Sequence, residues 1–193
     1  QRLIRMIGDP VKRYEEDPVR MLRAIRFSAK LGFDIEPNTA APIKPLSGLI
    51  THISGSRLFE EMIKLYQSGA AGSAQLQLVS YGLFTHLFPQ TSALLNGAYP
   101  VIPFITVALQ STDRRIKDNK PVTPAFVFAA LLWFPFQQRA EELQKQGVDP
   151  LPALDQAMSF VITEQNKVVT IPKRFTQVMR EIWLLQYRFA KRT

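Results

Sequence analysis

An all-α fold is predicted by three features of the sequence. The apolar periodicities that can be read clearly are helical, β-branched alternation of the kind that marks strands is scarce, and proline and glycine recur at intervals suited to short helices. Hydrophobic residues make up 46% of 193, enough to bury a core and to exclude a disordered segment.

The opening "QRLIRMIG" reads as helix, and a chain that starts in mid-helix on Gln1 is expected to be a piece of a longer protein. Asp9-Pro10 and Asp17-Pro18 read as N-cap and first-turn pairs. Gly32 closes the helix begun at Pro18, and Pro37 starts another short segment. "SGSRLFEEMIKLYQSG" (54–69) reads as a helix bounded by Ser54 or Ser56 and by Gly69. Further helices are expected over 73–81, 101–111, 122–134, 150–168 and 173–191. The polar stretch 110–124 reads as a weakly ordered connector, and two helical lobes are expected to meet near 95–120. The run "PAFVFAALLWFPF" (124–136) falls short of the ~18–20 residues that span a bilayer. It reads as a buried helix.

Charge narrows the partners. With 24 Lys and Arg against 16 Asp and Glu, the formal net charge of +8 favours a polyanion, most simply nucleic acid. No cysteine is present, which excludes disulfides and thiolate metal sites and fits a reducing, cytoplasmic setting. His52 and His86, the two histidines, stand far apart without ligand spacing, so no zinc site is expected.

The densest charge lies in "RYEEDPVRMLRAIRFSAKLGF" (13–33). On a wheel of ~100° per residue, Met21, Leu22, Ile25 and Ala29 gather on one side as a core face. Arg20, Arg23, Arg26 and Lys30 fall opposite, with Phe27 among them. Two readings are open. In one, Asp17 is an ordinary cap, Glu16 pairs with Arg20 four residues on, and the arginines are surface charge. In the other, the stripe binds a nucleotide or nucleic acid: a carboxylate accepts from an exocyclic amino group, while an arginine fork reads a base edge or clamps phosphate. An Asp–Arg pair on adjacent turns suits adenine or cytosine.

The stretch "GDPVKRYEEDPVRMLRAIRFSAKLGF" resembles the neck signature of class II nucleotidyltransferases, the bacterial poly(A) polymerases and CCA-adding tRNA nucleotidyltransferases. Their E-D-x-x-R motif reads here as Glu16, Asp17, Pro18, Val19 and Arg20, followed by Arg23 and Arg26. The resemblance implies that Asp17 and Arg20 template the incoming base and that Arg23 and Arg26 help hold the nucleotide. A second motif, R-x-x-x-E, matches Arg57 and Glu61, with Glu60 the neighbour most easily confused with Glu61. That pair is implied to brace the neck. "SYGLFTHLFP" and "TIPKRFTQVMREIWLLQ" resemble the poly(A) branch more than the tRNA enzymes.

What the resemblance implies is a neck over 1–95 with a nucleotide-recognition helix, and a helical body over 96–193 that binds RNA. The intact enzyme would be a polynucleotide adenylyltransferase with ATP and an RNA 3′ end as substrates. Its catalytic α/β head, which carries a Gly-Ser loop and D-x-D carboxylates for two Mg²⁺ ~3.5–4 Å apart, has no counterpart here: "SGSR" and "AGSA" precede no D-x-D. Mg²⁺ is thus expected only in the head, and this chain alone is expected to be inactive. Residues expected along an RNA track are Lys30, Arg114, Arg115, Lys117, Lys120, Lys173, Arg174, Arg188, Lys191 and Arg192. Trp183, Tyr187 and Phe189 are read as core before stacking platforms. CCA addition and a non-catalytic RNA-binding module stay open as alternatives.

Overall fold

The chain does not begin as a helix. In the computed structural model, which describes residues 2–190, β1 (Leu3–Ile4) pairs in parallel with β2 (Asp34–Ile35). Asp34 N donates to Arg2 O and Glu36 N to Ile4 O. The expected opening helix fails for a physical reason. Gly8 takes φ +88°, which ends any helical run before Asp9, and the segment ahead of it satisfies its backbone by pairing with β2 instead.

Helix α1 (Pro10–Glu16) is capped as expected, with the Asp9 carboxylate accepting from Val11 N and Lys12 N. Proline at 18 then forces Asp17 into an extended conformation, φ −149°. Helix α2 (Val19–Leu31) buries Val19, Met21, Leu22, Ala24, Ile25 and Ser28, a wider face than the four residues expected. The small Ala24 and Ser28 widen it by letting neighbouring helices approach. Gly32 ends α2 at φ +63°, its N–H bonded to Ser28 O, the left-handed closure the sequence predicts.

Short helices α3 (Pro37–Ala40) and α4 (Ile43–Leu46) and a 3₁₀ turn (Ser47–His52) lead to α5 (Gly55–Tyr66). Thr39 anchors this region. It receives Met6 N and Tyr14 Oη and donates to Glu36, and burial pushes the Tyr14 hydroxyl up to about 12. The hydrogen bonds from Thr39 hold Glu36 below the usual carboxylate range.

Helices α6 (Ala71–Ser80), α7 (Leu83–Leu87), α8 (Pro89–Ser92), α9 (Val101–Lys117), α10 (Pro124–Leu131), α11 (Trp133–Lys145), α12 (Pro150–Asn166) and α13 (Lys173–Ala190) complete the fold. All-α is therefore correct, apart from the one short strand pair. Two expectations are corrected. The weak connector over 110–124 is mostly helix, because α9 continues to Lys117. Its buried Thr112 and the Asp113 carboxylate, which accepts from Ala71 N at 2.7 Å and Gly72 N at 3.0 Å, hold that turn in place.

The single helix over 122–134 is in fact the whole of the short α10 and the start of α11. Pro135 has no N–H to offer Leu131 O, and that carbonyl instead accepts from the buried Thr91 hydroxyl at 2.8 Å. Sequence reading missed the amphipathic α11 beyond the break. One apolar cluster runs from Tyr14 to Trp183. Trp183 is fully buried, stacks on Phe136 at 4.9 Å and donates to Ala129 O, so it is core as read. No helix among the described residues is long and apolar enough to cross a membrane.

Gly55 shows how tightly the C-terminal half closes on the first. Its carbonyl accepts from Thr170 N at 3.0 Å, and a Cβ there would stand 2.9 Å from Val168 O and 3.0 Å from Thr170 N. Backbone cannot yield as a flexible side chain would. Gly55→Ala is expected to lower unfolding stability by ~1–3 kcal/mol in a chemical denaturation series. Gly48→Ala, where the nearest side-chain atom is 4.0 Å away, is the control.

Candidate nucleotide and RNA interface

The break between α1 and α2 places Asp17 at the start of the basic stripe. Asp17 is not the cap of α2 expected from the sequence, since its side chain makes no capping hydrogen bond. Its Oδ2 accepts from Arg57 Nη2 at 2.9 Å, a charge-assisted bond stronger than one from a neutral backbone N–H. Its Oδ1 is shielded from solvent and accepts no hydrogen bond among the described residues. The Glu16–Arg20 pair does not form either, because Glu16 bonds to Arg13 at 2.8 Å. That leaves Arg20 outside every ion pair described, with its Nε shielded and without a partner.

The second motif crosses over to the first. Arg57 and Glu61 do not pair with each other. Arg57 holds Asp17, and Glu61 accepts from Arg23 Nη2 at 3.1 Å and from Lys64 at 3.5 Å. Glu61 is 4% exposed, whereas Glu60 faces solvent, which separates the two neighbours. The contact joins α2 to α5 through two bridges in the same order along both helices. Arg26 places its guanidinium 4.6 Å from the centre of the Phe27 ring, and its Nε is also shielded without a partner.

The stripe therefore divides. Arg23 is committed to a buried carboxylate. Arg20 and Arg26 stand outside every ion pair among the described residues, each with its Nε shielded and without a partner.

The expected RNA-track residues are scattered over several elements. Lys30 is exposed in the last turn of α2. Arg114, Arg115 and Lys117 form the last turn of α9, where Arg115 donates to Pro121 O at 3.1–3.3 Å. Lys120 pairs with Asp118 at 3.3 Å. Lys173 and Arg174 open α13, with Arg174 over the Phe175 ring at 4.8 Å. Arg188 lies in the last turn of α13, while Lys191 and Arg192 lie outside the described residues. Phe189, read from the sequence as core, is instead 58% exposed.

A family model described as "Probable RNA and SrmB- binding site of polymerase A" matches residues 32–95. Another, the "Polymerase A arginine-rich C-terminus", matches 146–193. Both models describe parts of polymerase A. Poly(A) polymerase I of Escherichia coli O157:H7 is 44% identical over 193 residues, covering 98% of this chain and 42% of that protein. That of Haemophilus influenzae is 42% identical over 193 residues, covering 98% and 43%. A CCA-adding enzyme of Bacillus subtilis is 39% identical over 87 residues, 45% of this chain and 22% of its own length. The chain spans less than half the length of the poly(A) polymerases it matches.

The pairing makes the arginines of α2 unequal in stability. Arg23→Ala strands the Glu61 carboxylate, with only Lys64 left at 3.5 Å, and is expected to cost ~1–3 kcal/mol. Arg20→Ala and Arg26→Ala break no ion pair among the described residues and are expected to cost less, up to ~1 kcal/mol. Denaturant midpoints of the three variants check this order.

Proposed function

We propose that this chain is the neck and body of an enzyme that adds AMP from ATP to RNA 3′ ends and releases pyrophosphate, with the neck selecting the base. The observation that carries this reading is the state of Asp17. One oxygen is fixed by Arg57, while the other is a shielded acceptor without a partner, one turn from the free fork of Arg20. Adenine offers an exocyclic amino donor and a ring-nitrogen acceptor, and these fit Oδ1 and the Arg20 guanidinium. Arg26 and, through the part of its guanidinium that Glu61 leaves free, Arg23 are suited to the sugar and phosphates. Arg57 acts as a positioning residue, because it sets the plane of the carboxylate.

The similarity favours AMP addition over CCA addition. The poly(A) polymerases match 98% of the chain, while the CCA-adding enzymes match 45%. Two Mg²⁺ ions are implied for the family's chemistry. Among the described residues no group of three His, Asp or Glu side chains could hold a metal ion. They do not fit that group, and the neck's part is confined to binding and selection. RNA would follow the basic residues of α9 and α13, and the segment 32–95 would also meet a protein partner of the SrmB kind, as the matched family description has it. The cytoplasm is the proposed compartment.

Base selection is tested in the intact enzyme with Asp17→Asn and Arg20→Lys. Asn can turn a donor toward adenine's amino group, and Lys loses the planar fork. A misplaced buried hydrogen bond costs ~1–3 kcal/mol, so the kcat/KM ratio for ATP over the other nucleoside triphosphates is expected to fall about ten- to a hundredfold, with Tm nearly unchanged. Wild-type selectivity in both variants would sink the template reading.

Binding of a single-stranded RNA to the purified chain is expected to weaken steeply with salt. Affinity that stays flat between low and near-physiological ionic strength would count against a phosphate track.

A further inference from the structure

From Leu65 to Thr112 the chain contains no Asp, Glu, Lys or Arg, although 21% of all its residues are charged. This run builds α6, α7, α8 and most of α9, and it does not hide all of its apolar side chains. Leu76 is 66% exposed, Ile102 52% and Val79 41%. The three line one groove of about 510 Å³ between α6 and α9, floored by Ile105 and Leu109. An uncharged apolar groove gives a phosphate backbone nothing to bind. It does match the centre of a protein interface, where charge is depleted.

The groove has a polarity. At its far end Asp113 spends its charge on the N-terminus of α6. One turn beyond, Arg114 and Lys117 continue the same ridge of α9, exposed and outside every ion pair described. The walls run from Gly72 to Ser80 and from Ile102 to Asp113, a length of roughly two to three helical turns at ~1.5 Å per residue.

We propose that this groove is a protein-docking site. It takes a short amphipathic helix from a partner, with an uncharged apolar face at i, i+3, i+4 and i+7 spacing and acidic residues at the end that meets Arg114 and Lys117. The proposal rests on the protein-partner part of the reading above and not on the adenylation part. The family description assigns RNA and a protein partner together to 32–95. The charge distribution divides them: the cations of that segment, Lys44, Arg57 and Lys64, all precede Leu65, and the protein-binding wall extends past residue 95 into α9.

The test uses purified SrmB, the partner that the description names, and the purified chain in a fluorescence anisotropy titration. Leu76→Glu and Ile102→Glu are each expected to raise Kd for SrmB at least tenfold, and Arg114→Glu with Lys117→Glu to raise it several-fold and to flatten its salt dependence. Leu151→Glu, on a side chain 71% exposed on α12, should leave it unchanged. RNA affinity should be unaffected by Leu76→Glu and Ile102→Glu. Tight SrmB binding that both groove variants preserve would overturn the groove while leaving the partner reading intact. A chain with no affinity for SrmB would overturn both, and base selection in the intact enzyme would stand apart. Loss of RNA binding in Leu76→Glu would assign the groove to RNA. A dimer of the chain that Leu76→Glu dissociates in sedimentation would assign it to a second copy.

Discussion

Glu61 imposes the constraint on which the neck depends. A carboxylate with 4% of its surface exposed is tolerable only when a cation meets it, because removing an ion from water costs several kcal/mol. Arg23 supplies the cation, which fixes the register of α2 against α5. Once that register is set, Arg57 one turn earlier on α5 comes to lie beside Asp17. Asp17 in turn lies where Pro18 has forced the chain out of α1. The position of the unused Asp17 oxygen is thus a consequence of a buried charge elsewhere. The coupling ties the two motif regions together: Arg57 of the R-x-x-x-E spacing meets Asp17 of the E-D-x-x-R spacing, and Glu61 meets Arg23, three residues past that spacing.

Much of this was legible in the sequence, and the failures have identifiable causes. Local signals held wherever the chain decides by itself, as at the Asp9 cap, the Gly32 closure and the apolar stripe of α2. They failed where a distant group took over a local bond. Asp17 had the sequence of an N-cap, but a guanidinium forty residues away won its carboxylate. Polar composition suggested that 110–124 was loose, yet Asp113 was claimed by the N-terminus of α6. The break before α11 was signalled by Pro135, but the apolar run around it read more strongly than the proline did. The groove between α6 and α9 was also written in the sequence, as an absence of charge that a search for charged motifs passes over.

The basic residues behave differently from the apolar ones in this respect. A core position is fixed largely by its period, so Met21, Leu22 and Ile25 of α2 could be named from spacing, while Val19, Ala24 and Ser28 could not. A surface cation has no such period, and its role depends on what stands beside it. Arg23 and Arg26 are alike on the helical wheel, yet one neutralises a buried carboxylate and the other rests against an aromatic ring with a donor unused.

The site and the groove share a scaffold. Helix α6 is held to α5 by the buried Tyr66 hydroxyl, which donates to Gln75 Oε1 at 2.6 Å. It is held to α9 by Asp113. Burial raises the pKa of Tyr66 well above its ordinary value, so this hydroxyl stays a neutral donor across the physiological range. Neither link involves a mobile surface charge. Arg57 and Glu61 project from the same α5 that Tyr66 ends, so the geometry at Asp17 and the width of the groove are both set by where α5 and α6 lie. A short helix tied to α5 by one buried hydrogen bond and to α9 by two bonds to Asp113 has little freedom to shift alone, which makes α6 the common wall of the uncharged surface and the neck.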